Sequence, residues 1–219
     1  MTEATPVRVL LVEDHVLIRD GLRTMLERRG QISVVGEAAS GEEGLATAAR
    51  TRPDVVLMDV TMPGMNGLEA TARLAKGRPP CKVIVLSGSA RPKFVQRALL
   101  AGAKGYVLKT ESPANLATAI LEVHAGGRWF SPTVRQTLAE LALDPGSMEF
   151  DPLDRLSPRQ RSVLQLIAEG ASNREIGTHL GISESTVDTH RTELMRRLGL
   201  HDVAGLVRFA CQEGIVGVD

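Results

Sequence analysis

The chain has 219 residues, 43% of them apolar and only 3% aromatic, with 26 basic and 26 acidic side chains and a formal net charge of zero. That length suits one large domain or two modest ones, with cores of Leu, Val, Ile and Ala rather than aromatics. The charge balance excludes a strongly basic coat, and no apolar stretch reaches the ~18 residues a membrane span needs.

The opening segment, "MTEATPVRVLLVEDH", carries Glu3 where a secretory leader is basic, and its apolar run ends on acids, so no signal peptide is expected. Cys81 and Cys211 lie far apart without further cysteine or histidine company. They read as reduced thiols in a cytoplasmic protein. From residue 7 to about 124, short apolar runs alternate with helical patterns. The runs are "VRVLLV" (7–12), "ISVVGEA" (32–38), "DVVLMD" (54–59), "KVIVLS" (82–87) and "GYVL" (105–108). Between them, apolar residues fall three and four apart, as in Ile18, Leu22, Met25 and Leu26, or Phe94, Val95, Ala98 and Leu99. Runs apolar on both faces suit a covered parallel sheet, so a doubly wound α/β domain of five strands is predicted over 7–125.

After "HAGGRW" the rhythm changes. Residues 126–154 are expected to be a linker containing a helix at about 131–143, with Ser131 as its N-cap and Pro132 in its first turn. Within it, "DPGSMEFDPLDRLSP" has three X-Pro bonds and a glycine, which is linker composition and puts the boundary in 144–154. From residue 155 to 219 every segment reads as helix.

Ligands of an open parallel sheet sit outside the carboxyl ends of its strands, where strand order reverses. The first predicted strand ends in Glu13-Asp14, the third in Asp59, the fourth in Ser87, and the last leads to Lys109. Singly, each has a commoner structural explanation: Asp59 as a turn residue, Glu13 and Asp14 as helix caps, Ser87 as a cap, Lys109 as a solvated charge and Tyr106 as a core aromatic. Their shared position at one end of the sheet sets them apart. Three crowded carboxylates repel unless a cation intervenes, and Mg²⁺ with oxygen ligands is the natural one. A carboxylate nucleophile, a metal, a lysine and a hydroxyl are what phosphoryl transfer onto an aspartate requires.

"LLVEDH", "DVVLMDVTMPGMNGLEA", "VIVLSGSA" and "AGAKGYVLK" occur in this order. With that spacing, residues 7–124 resemble the receiver domain of bacterial two-component response regulators. The resemblance implies that Asp59 is the phosphoryl acceptor. It implies that Glu13, Asp14, Asp59 and the Thr61 carbonyl hold Mg²⁺, that Ser87 and Lys109 contact the phosphoryl group, and that Tyr106 is an aromatic switch. Asn66 stands where the family often has Asp, and Thr61 and Ser89 occupy its variable positions.

In the second half, "SNREIGTHLGISESTVDTHRTELMRRLG" (172–199) opens on a Ser172–Glu175 capping box, turns at Gly181, and restarts at Ser183. On the second helix Val187, Leu194 and Leu198 form one stripe, while Ser185, Asp188, Thr189, Thr192 and Arg196 lie opposite. That describes a helix-turn-helix, or equally an ordinary amphipathic helical hairpin. Residues 155–219 carry eight Arg and no Lys against eight acids, so charge does not choose between them. The whole stretch "LSPRQRSVLQLIAEGASNREIGTHLGISESTVDTHRTELMRRLGL" (156–200) is similar to the four-helix DNA-binding domain of LuxR-type and NarL/FixJ-type regulators. By that resemblance about 183–198 is the recognition helix. DNA contacts fall to Asn173, Arg174, Ser185, Thr186, Asp188, Thr189, Arg191, Thr192 and Arg196, with Arg191 and Arg196 on phosphates. Asp188 departs from the Lys of many relatives.

The expectation is a cytoplasmic transcription regulator, not a turnover enzyme, whose partners are a sensor histidine kinase, double-stranded DNA and, once phosphorylated, a second copy of itself. A metal-dependent phosphatase of the haloacid-dehalogenase kind also uses an Asp nucleophile but wants a second Asp two residues on, where this chain has Thr61. An inert receiver that never meets phosphate is the other alternative; a receptor for a small acyl signal needs a different fold.

Overall fold

The computed structural model describes residues 5–28, 30–77, 79–143 and 152–216. The chain divides into two compact units, 1–148 and 149–219. Most of the expected 144–154 boundary lies outside the described residues.

In the first unit the elements run β1 (Val7–Val12), α1 (Val16–Glu27), β2 (Ile32–Ala38), α2 (Gly41–Thr51), β3 (Val55–Asp59), α3 (Gly67–Lys76), β4 (Lys82–Ser87), α4 (Pro92–Leu100), β5 (Gly105–Leu108), α5 (Pro113–His124), β6 (Trp129–Phe130) and α6 (Pro132–Leu143). All strand pairs are parallel, in the order β2-β1-β3-β4-β5-β6, with a register shift between Val9 and Leu10 against β2. The chain leaves β1 to one side and returns to its other side as β3, so the topological switch falls between them.

Successive strand residues serve opposite faces. Val9, Leu11, Val55, Leu57, Ile84 and Leu86 pack with Leu26 of α1 and with Leu116, Ile120 and Val123 of α5. Leu10, Val12, Val56, Met58 and Val83 pack with Ala48, Ala70 and Leu74 of α2 and α3. Burial on both faces explains why these strands read as unbroken apolar runs. The α1 stripe is only partly buried: Leu26 is enclosed, but Ile18 is 39% exposed beside Leu17 at 86%.

One difference concerns the sheet, which has six strands where five were expected. After the Gly126-Gly127 turn, Trp129 and Phe130 pair with Gly105 and Tyr106 at the β5 edge. A two-residue strand carries no periodicity to read. The helix expected at about 131–143 is present as α6, and Val134 and Leu138 pack with Val95, Ala98 and Tyr106 of the sheet domain.

The second unit begins with a 3-10 turn (Pro152–Arg155), followed by α7 (Pro158–Ala168), α8 (Asn173–Leu180), α9 (Glu184–Leu198) and α10 (Val203–Gln212). Capping boxes at Ser157/Gln160 and Ser172/Glu175 start α7 and α8, and the Ser183 hydroxyl accepts the Thr186 N–H to start α9. Gly181 ends α8 at φ +65°, a left-handed conformation that L side chains strain to adopt. Val163, Leu164, Ile167, Ile176, Val187, Leu194 and Leu206 close one core over the four helices. Among the described residues no helix is long and apolar enough to cross a membrane, and both cysteines are free thiols.

Candidate functional site

The ends of β1, β3 and β5 bring three charged groups together. Glu13 follows β1 and is 1% exposed; Asp59, the last residue of β3, is 2% exposed. Lys109 follows β5, with its own N–H donating to the Ser87 carbonyl at 2.8 Å. Its Nζ lies 2.9 Å from Glu13 Oε2 and 3.1 Å from Asp59 Oδ1, bridging the two carboxylates. Asp59 Oδ2 is buried and accepts no hydrogen bond from the described groups.

Burial and the neighbouring Glu13 carboxylate push the Asp59 pKa up to about 6, with Lys109 opposing them. Burial alone would lower the Lys109 pKa, but Asp59 and Glu13 outweigh it and hold the ammonium charged. The lysine is therefore an internal counter-ion, and it is insufficient: one buried Asp59 oxygen has no partner among the described groups.

Asp14 stands beside Glu13, and His15 Nδ1 approaches Glu13 Oε1 to 3.0 Å and Asp14 Oδ1 to 2.9 Å. The hydrogen bond to Glu13 and the charge of Asp14 raise the His15 pKa. One ligand atom from each of Glu13, Asp14, His15 and Asp59 lies within 4.8 Å of the others. An oxygen-dominated set with an unsatisfied buried carboxylate fits a hard divalent cation. Thr61, half-buried, lies in the loop after β3.

That loop is tightly fixed. The Gly67 N–H donates to the Val60 carbonyl at 3.0 Å, and a Cβ on Gly67 would sit 1.7 Å from the Asp59 carbonyl oxygen. Only glycine lets α3 start this close to the strand end. The Asn66 side chain caps α3 by accepting the Glu69 N–H, a role that Asp fills as well.

Ser87 ends β4, but its hydroxyl is turned to Ser89, accepting that N–H at 3.1 Å and donating to that carbonyl at 3.3 Å. Tyr106 is fully buried and donates its hydroxyl to the same Ser89 carbonyl at 2.6 Å. Burial raises the Tyr106 pKa, so the phenol is the neutral donor there.

Two contributors escaped the sequence reading. His15 was legible only as a neighbour of the acid pair. Arg19, from α1, donates through Nη1 to the Glu13 carbonyl at 2.6 Å and through Nε to Glu37 Oε2 at 3.1 Å, tying the β1 end to β2. Its sequence position on the polar side of α1 gave no signal of that reach.

In the second unit, Arg174, Ser185, Asp188, Thr189, Thr192 and Arg196 are exposed, while Asn173, Thr186 and Arg191 are half-buried. Arg191 Nη1 donates to Asn173 Oδ1 at 2.7 Å, bracing α9 against α8. Glu193 accepts from Arg196 at 2.8 Å and from Arg197 at 2.6 Å, and these two arginines hold its carboxyl down to about 2.

The chain matches two family models, the response regulator receiver domain over residues 9–121 and the bacterial regulatory proteins of the luxR family over 154–210. It is 38% identical to the transcriptional regulatory protein MctR of Rhizobium johnstonii, over 99% of this chain and 98% of that one. It is 39% identical to the response regulator GacA of Pseudomonas viridiflava, over 96% and 98% of the two chains. It belongs to the NarL/FixJ family of response regulators. A solved complex of the response regulator RcsB with DNA is similar at 25% identity and a TM-score of 0.58, over 94% of this chain and 98% of that one. As a two-component response regulator the protein regulates transcription and is not a turnover enzyme. The phosphatase and acyl-receptor alternatives fall with that assignment.

Proposed function

We propose that Asp59 accepts a phosphoryl group from a sensor histidine kinase, and that this modification switches dimerisation and sequence-specific DNA binding. The observation that carries the reading is Asp59 itself: a buried carboxylate with one oxygen on Lys109, the other unpaired, and its ionised form disfavoured. An Asp59 oxygen attacks the phosphorus of the phosphohistidine as the P–N bond breaks. The imidazole keeps the electron pair and takes up a proton, and an acyl phosphate forms on Asp59.

Glu13, Asp14, Asp59 and the Thr61 carbonyl are the residues that would hold Mg²⁺. Bound there, the ion supplies positive charge to the transferring oxygens. Lys109 follows the charge from Asp59 to a phosphoryl oxygen. Ser87 donates its hydroxyl to another after leaving Ser89, and Tyr106 adjusts in its buried slot. Of the two alternatives for the receiver, the inert one leaves the strained carboxylate pair unexplained.

On the output side α9 enters the major groove of double-stranded DNA. Ser185, Thr186, Asp188, Thr189 and Thr192 face bases, and Asn173, Arg174, Arg191 and Arg196 face phosphates. Asp188 accepts from a cytosine amino group rather than attracting phosphate. Paired half-sites and a phosphorylation-dependent homodimer compensate for the neutral surface. The protein acts in the cytoplasm, where the DNA is; residues 7–125, with β6 and α6 packed on them, serve as receiver, and residues 155–219 as DNA-binding domain. Asp59→Asn tests the reading: it abolishes the phosphoryl adduct from acetyl phosphate and any donor-dependent gain in DNA binding. An undiminished donor response refutes it.

A further inference from the structure

The helix α6, expected as part of a linker, is bonded to both arms that carry the phosphoryl-contact candidates. Ser131 is fully buried just before it. The Ser131 hydroxyl accepts the Leu108 N–H at 3.0 Å, and its N–H donates to the Tyr106 carbonyl at 3.0 Å. The start of α6 is thus pinned to β5 immediately before Lys109, with the serine hydroxyl spent on the strand.

Further along α6, the Thr137 hydroxyl lies 3.2 Å from the Ala90 carbonyl and 3.2 Å from the Thr133 carbonyl of its own helix. One proton faces two acceptors at equal distance, one on the β4–α4 loop and one within α6. The proton is shared between the two, so the contact with Thr133 remains when the loop moves away.

Ala90 belongs to the loop organised by Ser87. The Ser87 and Tyr106 hydroxyls both converge on the Ser89 carbonyl, and the Ser89 N–H is satisfied by Ser87. If Ser87 turns to a phosphoryl oxygen, the Ser89 N–H loses its acceptor and the segment leading to Ala90 must re-form its bonds.

We propose that Thr137 is a positioning residue for Ser87: its hydroxyl latches the β4–α4 loop while Ser87 rests on Ser89, and phosphorylation breaks its contact with Ala90, leaving it on Thr133 alone. The inference rests on the reading that Asp59 accepts a phosphoryl group. The middle of α6 then loses its tie to the β4–α4 loop while Ser131 stays pinned to β5. Linkage fixes the sign. A bond made only in the unphosphorylated form opposes phosphorylation, so deleting it favours phosphorylation while removing its effect on α6.

The full-length chain, Thr137→Val and Thr137→Ser are compared with acetyl phosphate and Mg²⁺. The phosphoryl adduct is followed by intact-mass spectrometry and backbone hydrogen exchange across 132–143. Thr137→Val is expected to reach a higher adduct fraction at limiting donor, by about threefold, near the low end of what one net hydrogen bond supplies because the proton is shared. Its donor-induced change in α6 exchange is expected to be largely lost. Thr137→Ser, which keeps the hydroxyl, restores both. A merely structural role lowers uptake and speeds exchange even without donor. Should the valine variant not fold, Thr137→Ala must move both readouts in the stated directions. Unchanged or reduced uptake, or an intact α6 response, in a folded variant overturns the proposal. If the wild type itself takes up no phosphoryl group, the Asp59 reading fails and takes this inference with it.

Discussion

Asp59→Asn should stabilise the metal-free protein. The native carboxyl titrates at about 6, against an ordinary value of 3.8. At about 1.4 kcal/mol per pH unit, the ionised side chain costs the fold about 3 kcal/mol once it is charged in both states. Asp59 is 2% exposed, so solvent screening does little to reduce that figure. The sign follows from proton counts. Between about 4 and 6 the folded state holds more protons than the unfolded one, so stability falls as pH rises through that window. The variant gains nothing at pH 4 and the full amount above pH 7. Trp129, the sole tryptophan, lies on β6 and reports on the first unit alone. Urea unfolding followed by its fluorescence in EDTA at pH 8 should show a midpoint at least roughly 1 M higher for Asp59→Asn. Mg²⁺ should then raise the wild type more than the variant. An equal or lower midpoint for the variant in EDTA refutes the account of a strained carboxylate pair.

Arg19→Met removes the brace on the Glu13 carbonyl, and the Mg²⁺ concentration that half-stabilises the fold against urea should rise about tenfold; a change under twofold counts against the brace. Gly67→Ala drives a methyl into the Asp59 carbonyl, so urea unfolding should show the first unit destabilised by at least about 2 kcal/mol, with phosphoryl uptake impaired even where the protein remains folded. Asp188→Lys should tighten DNA binding and steepen the dependence of log K on log salt by about 1. It should also weaken any preference for cytosine at the contacted position; unchanged slope and preference exclude Asp188 from the interface.

Much of the acid site was legible because a parallel sheet gathers its strand ends on one side. Glu13, Asp59, Ser87 and Lys109 are close neighbours only through that geometry, and the apolar runs announced the sheet. What escaped notice depends on side-chain reach and on short elements. Arg19 lies on α1, and nothing local says that its guanidinium spans from Glu13 to Glu37. Trp129 and Phe130 are too few to show alternation, so the sixth strand was unreadable. With that strand hidden, α6 looked like linker, although Val134 and Thr137 have their partners on α4 and the loop before it. In the second unit the capping serines and Gly181 marked the helix ends plainly, whereas the Asn173–Arg191 brace joins residues eighteen apart that no periodicity links.

On the proposed reading of α9, the clasp of Glu193 on Arg196 means that a DNA phosphate must compete with an intramolecular carboxylate before it can hold that guanidinium. Loose, indiscriminate adsorption is weakened most, because it has few other contacts to offer. A regulator so equipped spends less of its time sequestered on irrelevant sequence and leaves more copies free to find their operators.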